Sequence, residues 1–78
     1  MTGTIYKIVI YDVDENESKI YPAIYWSEKA AIREARSICD TQGDYPEGSN
    51  VYVHEEQADH SGQFLTKRTI FSRSIINE

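Results

Sequence analysis

Cysteine is almost missing from this chain, and its scarcity removes a class of folds. Cys39 is the single cysteine among 78 residues, so no internal disulfide framework can staple the domain. Proline occurs twice and glycine four times, and neither internal repeats nor low-complexity tracts are present. No apolar run approaches the ~18 residues of a membrane span, and no leader segment is expected. The length excludes a multidomain enzyme and a nucleotide-binding βαβ domain with room for its cofactor. A domain this small buries about 60–65% of the surface that its unfolded chain exposes. The 40% hydrophobic content nonetheless excludes a disordered chain.

Positive charge is also short. Thirteen acids against eight bases give a net charge of −5, the wrong sign for a protein that holds nucleic acid through its phosphates. The acids cluster. Asp12, Asp14, Glu15 and Glu17 crowd one loop, while Asp40, Asp44, Glu47, Glu55, Glu56 and Asp59 fill a stretch with no Lys or Arg. The bases gather at Lys29, Arg33 and Arg36, and again at Lys67, Arg68 and Arg73. Such a distribution fits either an acidic, solubilising surface or a binding surface for a basic partner.

Residues 4–13 are apolar on both sides of a period-2 pattern, with Lys7 the one base among them. That marks a central strand, or one whose second face is at least partly covered. Residues 19–26 form a second, aromatic strand, in which Pro22 removes a ladder donor and so belongs at an edge or a bulge. The short polar loop between them makes the pair an antiparallel hairpin. On the second strand Tyr21 and Tyr25 share one side with Ala23, and Ile20, Ile24 and Trp26 share the other. The isoleucine–tryptophan side is the expected core face, which leaves the tyrosines on the wetter side.

At Ser27 the period changes. Ser27 suits an N-cap and Glu28 the first helical turn. Ala31, Ala35 and Ile38, widened by Ile32 and Cys39, form an apolar stripe opposite Lys29, Arg33, Arg36 and Asp40, which predicts an amphipathic helix packed on one side. Its alanines let it sit close to a sheet whose Tyr and Ile side chains supply the bulk. The helix should end near Gln42, with Gly43 in the left-handed position. Residues 44–50 read as a turn, 50–56 as an alternating strand and 57–63 as a second polar turn. Residues 64–76 read as a last strand with a bulge or bend near Thr69. The expected fold is a single α+β domain of two layers over residues 1–78. One helix lies on an antiparallel or mixed sheet of three or four strands, in the order β-β-α-β-β.

Chemistry-bearing motifs are weak. Asp12, Asp14 and Asn16 begin like a calcium loop, but the sixth position holds Glu17 where glycine is needed and the twelfth holds Ala23 where a glutamate is needed. His54, Glu55, Glu56, Asp59 and His60 lack the spacing of a zinc hydrolase and the cysteine or histidine content of a structural zinc site. Cys39 on the helix stripe reads as a small apolar residue without an assignable base. Asn16-Glu17-Ser18 has the form of a glycosylation sequon, and without a secretory signal it carries no weight. No catalytic residue, cofactor or metal is therefore expected.

What stands out is six tyrosines with Trp26, four of the tyrosines in the first hairpin. Such rings suit the centre of a protein interface or of a homodimer. The leading expectation is a small, cytoplasmic, non-enzymatic interaction protein that uses Asp40, Asp44, Glu47, Glu55, Glu56, Asp59, Tyr21 and Tyr25. Its partner would be a protein with a basic surface, reached without a membrane, and the carboxylates could occupy a groove that normally holds nucleic acid. An inhibitor or accessory protein of a phage or mobile element has this size and charge. The alternative is a nucleic-acid-associated protein that stacks bases on the tyrosine-rich face beside Lys67, Arg68 and Arg73.

Overall fold

The computed structural model describes residues 3–40 and 45–75. Its elements follow the order β1 (Thr4–Asp12), β2 (Glu17–Tyr25), α1 (Glu28–Asp40), β3 (Asn50–Ala58) and β4 (Phe64–Ser74). The four strands form one sheet in the order β2-β1-β3-β4, with antiparallel neighbours throughout. The chain is thus an α+β domain with one helix on a four-stranded antiparallel sheet. β2 and β3 flank β1 and run in the same direction, so their connection must cross the sheet, and α1 makes that crossing.

The helix starts where its cap dictates. Ser27 Oγ accepts from the Ala30 N–H at 3.4 Å, and Ser27 O accepts from the Ala31 N–H at 3.1 Å. Ala31, Ala35, Ile38 and Cys39 turn inward and meet Ile8 and Ile10 of β1, Val51 and Val53 of β3, and Ile75. The expected C-terminal stop at Gln42 and Gly43 lies outside the described residues.

β1 is central, as its two apolar sides imply. β2 is an edge strand, and its register against β1 slips between Lys7 and Val9, opposite the segment that carries Pro22. Pro22 therefore stands at an edge and at an irregularity together, where a missing N–H costs no ladder bond. β4 forms the other edge. Its pairing with β3 shifts twice, between Val53 and His54 and between Glu55 and Glu56. The first shift falls beside Thr69, where the imperfect period points to a bulge.

One expectation is reversed. The tyrosines of β2, not its isoleucines, lie on the helix side: Tyr21 and Tyr25 pack against the core, and Ile20, Ile24 and Trp26 are exposed. The reason is volume rather than polarity. Ala31 and Ala35 leave a gap between helix and sheet that a ring fills better than a branched aliphatic chain. Tyrosine also carries a hydroxyl that reaches the margin of the layer, where Tyr21 donates to Glu34 Oε1 on the helix at 3.1 Å.

Candidate interaction surface

The β1–β2 turn is built from its own acids. Asp12 accepts from the backbone N–H groups of Asp14 and Glu15 at 3.0 and 3.1 Å, and Asn16 adopts a positive φ of 54°. Lys19 Nζ closes the turn from the strand side, 2.6 Å from Glu15 and 3.5 Å from Asp12. The Glu15 N–H, with help from Asp14 and Lys19, holds the Asp12 carboxyl below the usual range. These carboxylates are occupied by the fold, and among the described residues no metal-holding group of His, Cys, Asp or Glu is found.

The acids between 40 and 59 do not share a face. Glu55 and Glu56 are neighbours on a strand, so their side chains point to opposite sides of the sheet. Glu55 lies buried on the helix side and accepts from Arg68 Nε. Glu56 lies on the other side, where Lys7 Nζ approaches at 3.2 Å as an ion pair and Thr66 Oγ1 donates at 3.1 Å. Asp40, at the end of α1, is 3.7 Å from Arg73. Asp59 Oδ1 accepts from the Ser61 hydroxyl and from the N–H groups of Ser61 and Gln63, at 2.7, 2.9 and 3.0 Å. The Ser61 hydroxyl, then the backbone donors, lower its pKa. Glu47 is exposed in the turn before β3, and Asp44 lies outside the described residues. Four of these acids thus already hold partners within the chain.

The basic alternative is engaged too. Arg68 meets Glu55, Arg73 meets Asp40, and Lys67 Nζ donates to Gln57 Oε1 at 3.2 Å. Tyr21 and Tyr25, assigned by the alternation to the wetter side, belong to the helix layer. The hydrogen bond to Glu34 raises the Tyr21 pKa, and burial raises that of Tyr25. Cys39 is buried, which raises its thiol pKa and leaves it a poor nucleophile.

What the structure does bring together is the face of the sheet away from the helix. Two cross-strand rows define it. One runs Ile24, Lys7, His54, Thr69 and the other Ile20, Val9, Tyr52, Ser72. The Tyr52 and His54 rings stack with centroids 6.1 Å apart and planes 13° from parallel, and His54 Nδ1 lies 2.9 Å from Thr69 Oγ1. Along β2 a shallow open depression is lined by Ile20, Pro22, Ala23 and Ile24 with Lys7. Ile20 is 66% exposed and Ile24 54%, and Trp26, one residue beyond the strand, is 78% exposed. The signal for this face is present in the sequence, in the odd-side Val9 and Tyr11 of β1, but one strand cannot tell which of two apolar sides the helix takes.

These features define a two-layer α+β domain with one sheet face covered and one open. No protein-family model, curated protein or solved structure gives a significant match to the chain. Among the described residues no helix is long and apolar enough to cross a membrane.

Proposed function

We propose that this chain is a small, non-enzymatic protein-interaction module whose open sheet face seats on a partner protein. The observation that carries the proposal is the exposure of Ile20 and Ile24 at 66% and 54% inside a paired strand. Contiguous aliphatic surface of this kind contributes nothing to a monomer in water and stabilises a complex when covered. The edges offer less. Pro22 and its register slip interrupt β2, and β4 carries two slips with Lys67 and Arg68, which disfavours addition of a further strand.

The partner would present apolar ground bordered by Lys and Arg. Asp14 and Glu17 lie at one end of the hairpin that carries Ile20 and Ile24, and a negative rim steers a positive one into register. A nucleic-acid-binding groove has that character, so an inhibitor or accessory role remains the finest form of the proposal. The single unpaired cysteine agrees with a reducing compartment such as the cytoplasm. Direct nucleic-acid binding is the less favoured reading, because Tyr21 and Tyr25 pack against the core on the helix side and Arg68 and Arg73 lie against carboxylates.

The test compares the proteins retained from a host lysate by the wild type and by Ile20→Ser/Ile24→Ser, with sedimentation of the chain alone. A partner held by the wild type, released by salt and lost in the variant is the expected result. Equal retention by both removes the open face as the site. Dimerisation of the free chain through Ile20 and Ile24 makes the partner a second copy and overturns the assignment to another protein.

A further inference from the structure

The bases of this chain are not treated alike. Lys7, Lys19, Arg68 and Arg73 each lie against a carboxylate, and Lys67 donates to Gln57. No ion pair or hydrogen bond joins Lys29, Arg33 or Arg36 to another described residue. All three lie on the outer face of α1, four and three positions apart. At the helical rise their charges follow one another along roughly 10 Å of the axis. With Ile32 and Ser37 they line a shallow open concavity that ends at Asp40.

This arrangement does not serve the helix. Lys29 stands in the first turn, at the positive end of the helix dipole, and the last turn contains no base. Lys29 and Arg33 are like charges one turn apart, a mildly repulsive spacing. A helix shaped for stability alone would place its bases at the other end and alternate them with acids. The field left uncompensated here is one that a partner's negative charge would neutralise.

We propose that the outer face of α1 docks a carboxylate-bearing helix of a protein, distinct from the partner of the open sheet face. Lys29, Arg33 and Arg36 pair with acids about one turn apart on that helix, and Ile32 receives an apolar side chain between them. A nucleic acid fits less well. No aromatic ring lines the concavity for base stacking, and Ile32 among the three bases suits an apolar side chain, which a phosphate backbone does not present. The helix lies between this face and the sheet, so the two surfaces point away from each other and a single chain can bridge two proteins.

The test is fluorescence anisotropy with a labelled synthetic helix carrying glutamates one turn apart and a leucine between them. A single-stranded oligonucleotide of equal net charge serves as the comparison. The wild type binds the peptide at low salt, and Lys29→Gln/Arg33→Gln/Arg36→Gln binds it about tenfold more weakly, with unchanged circular dichroism. Charge reversal to Glu at the same positions abolishes binding, while Ile20→Ser/Ile24→Ser binds as the wild type does. The proposal is overturned if the wild type ignores the peptide, if the Gln variant binds it equally well, or if the oligonucleotide binds as tightly.

Discussion

On the helix side of the sheet Ile8, Ile10, Val51 and Val53 are at most 1% exposed, whereas on the other side Ile20 and Ile24 keep 66% and 54% of their surface in water. The residue types are nearly the same. What separates them is what each set meets. The alanines of a capped helix cover the first, whereas no described element covers Ile20 and Ile24 at the β2 edge of the other face, although Ile5 on that face is buried. The folding energy is therefore concentrated in one layer, at about 25 cal/mol for each Å² of apolar surface removed from water. The comparison teaches that apolar patterning on this sheet serves two ends, one inside the chain and one outside it.

The largest test strikes the covered face. Ile8→Ala removes a fully buried side chain at the centre of the core, and a loss of about 3–4 kcal/mol in urea unfolding is expected. A domain of this size holds only roughly 4–12 kcal/mol in all, so the variant should be near its folding limit at physiological temperature. A loss under about 1 kcal/mol would mean that the two faces are not as unequal as their burial implies. Next comes Arg68→Ala, which strips the partner from the buried Glu55 carboxylate. Water reaches the exposed Arg68, so the cost should be clearly smaller than that of Ile8→Ala. Adding Glu55→Gln should recover part of that loss.

Tyr21→Phe is smaller, because it keeps the ring in the helix layer and removes only the bond to Glu34. A small but measurable loss in urea midpoint, below that of Arg68→Ala, is expected. One tyrosine that titrates late, held by its bond to Glu34, should also vanish from an ultraviolet pH titration. No change in either measurement would place Tyr21 on the open face, where the alternation alone assigns it.

That reversal shows what was legible in the sequence and what was not. The capped helix, the hairpin, the edge position of Pro22 and the irregularity beside Thr69 are local, since each follows from a cap, a turn, a missing donor or a broken period. The side of β2 that meets the helix is not local. It depends on the gap left by Ala31 and Ala35, and the choice between Tyr21 and Ile20 is made by volume across two layers. The acids fare similarly. Their crowding between 40 and 59 is visible in one dimension, but strand alternation sends Glu55 and Glu56 to opposite faces. Their cations, Arg68 and Lys7, come from different strands. Ser49 gave no sign of its role, yet it is fully buried, accepts from the Val13 N–H at 3.2 Å and receives the Ile75 N–H on its carbonyl at 2.7 Å.

Asp12 gives a finer test at the margin of the covered face. Its carboxyl is held below the ordinary aspartate value of 3.8, first by the Glu15 N–H and then by Asp14 and Lys19. A lowered folded-state pKa contributes stability that is fully present above the unfolded value and fades as the pH falls through the folded one. Asp12→Asn should therefore be less stable than the wild type at neutral pH. The difference should shrink below pH 3.8, as followed by urea midpoints across an acid series. A difference that stays constant with pH would assign the role of Asp12 to shape rather than charge.

The smallest expected effect sharpens the comparison most. Ile20→Ser/Ile24→Ser removes two large aliphatic side chains from the sheet, as drastic a change on paper as any in the core. On the covered face each such loss would strip buried surface and leave a cavity. On the open face both side chains already lie mostly in water, so little transfer energy is at stake and no void forms. The change in urea midpoint should correspond to no more than about 0.5 kcal/mol per site, the usual range for surface substitutions. Such a result would separate the part of the sheet's apolar character that folds the chain from the part free to engage another protein. A loss of several kcal/mol would instead mean that Ile20 and Ile24 are buried in solution, by a second copy or by a rearranged chain, and would remove the distinction between the two faces.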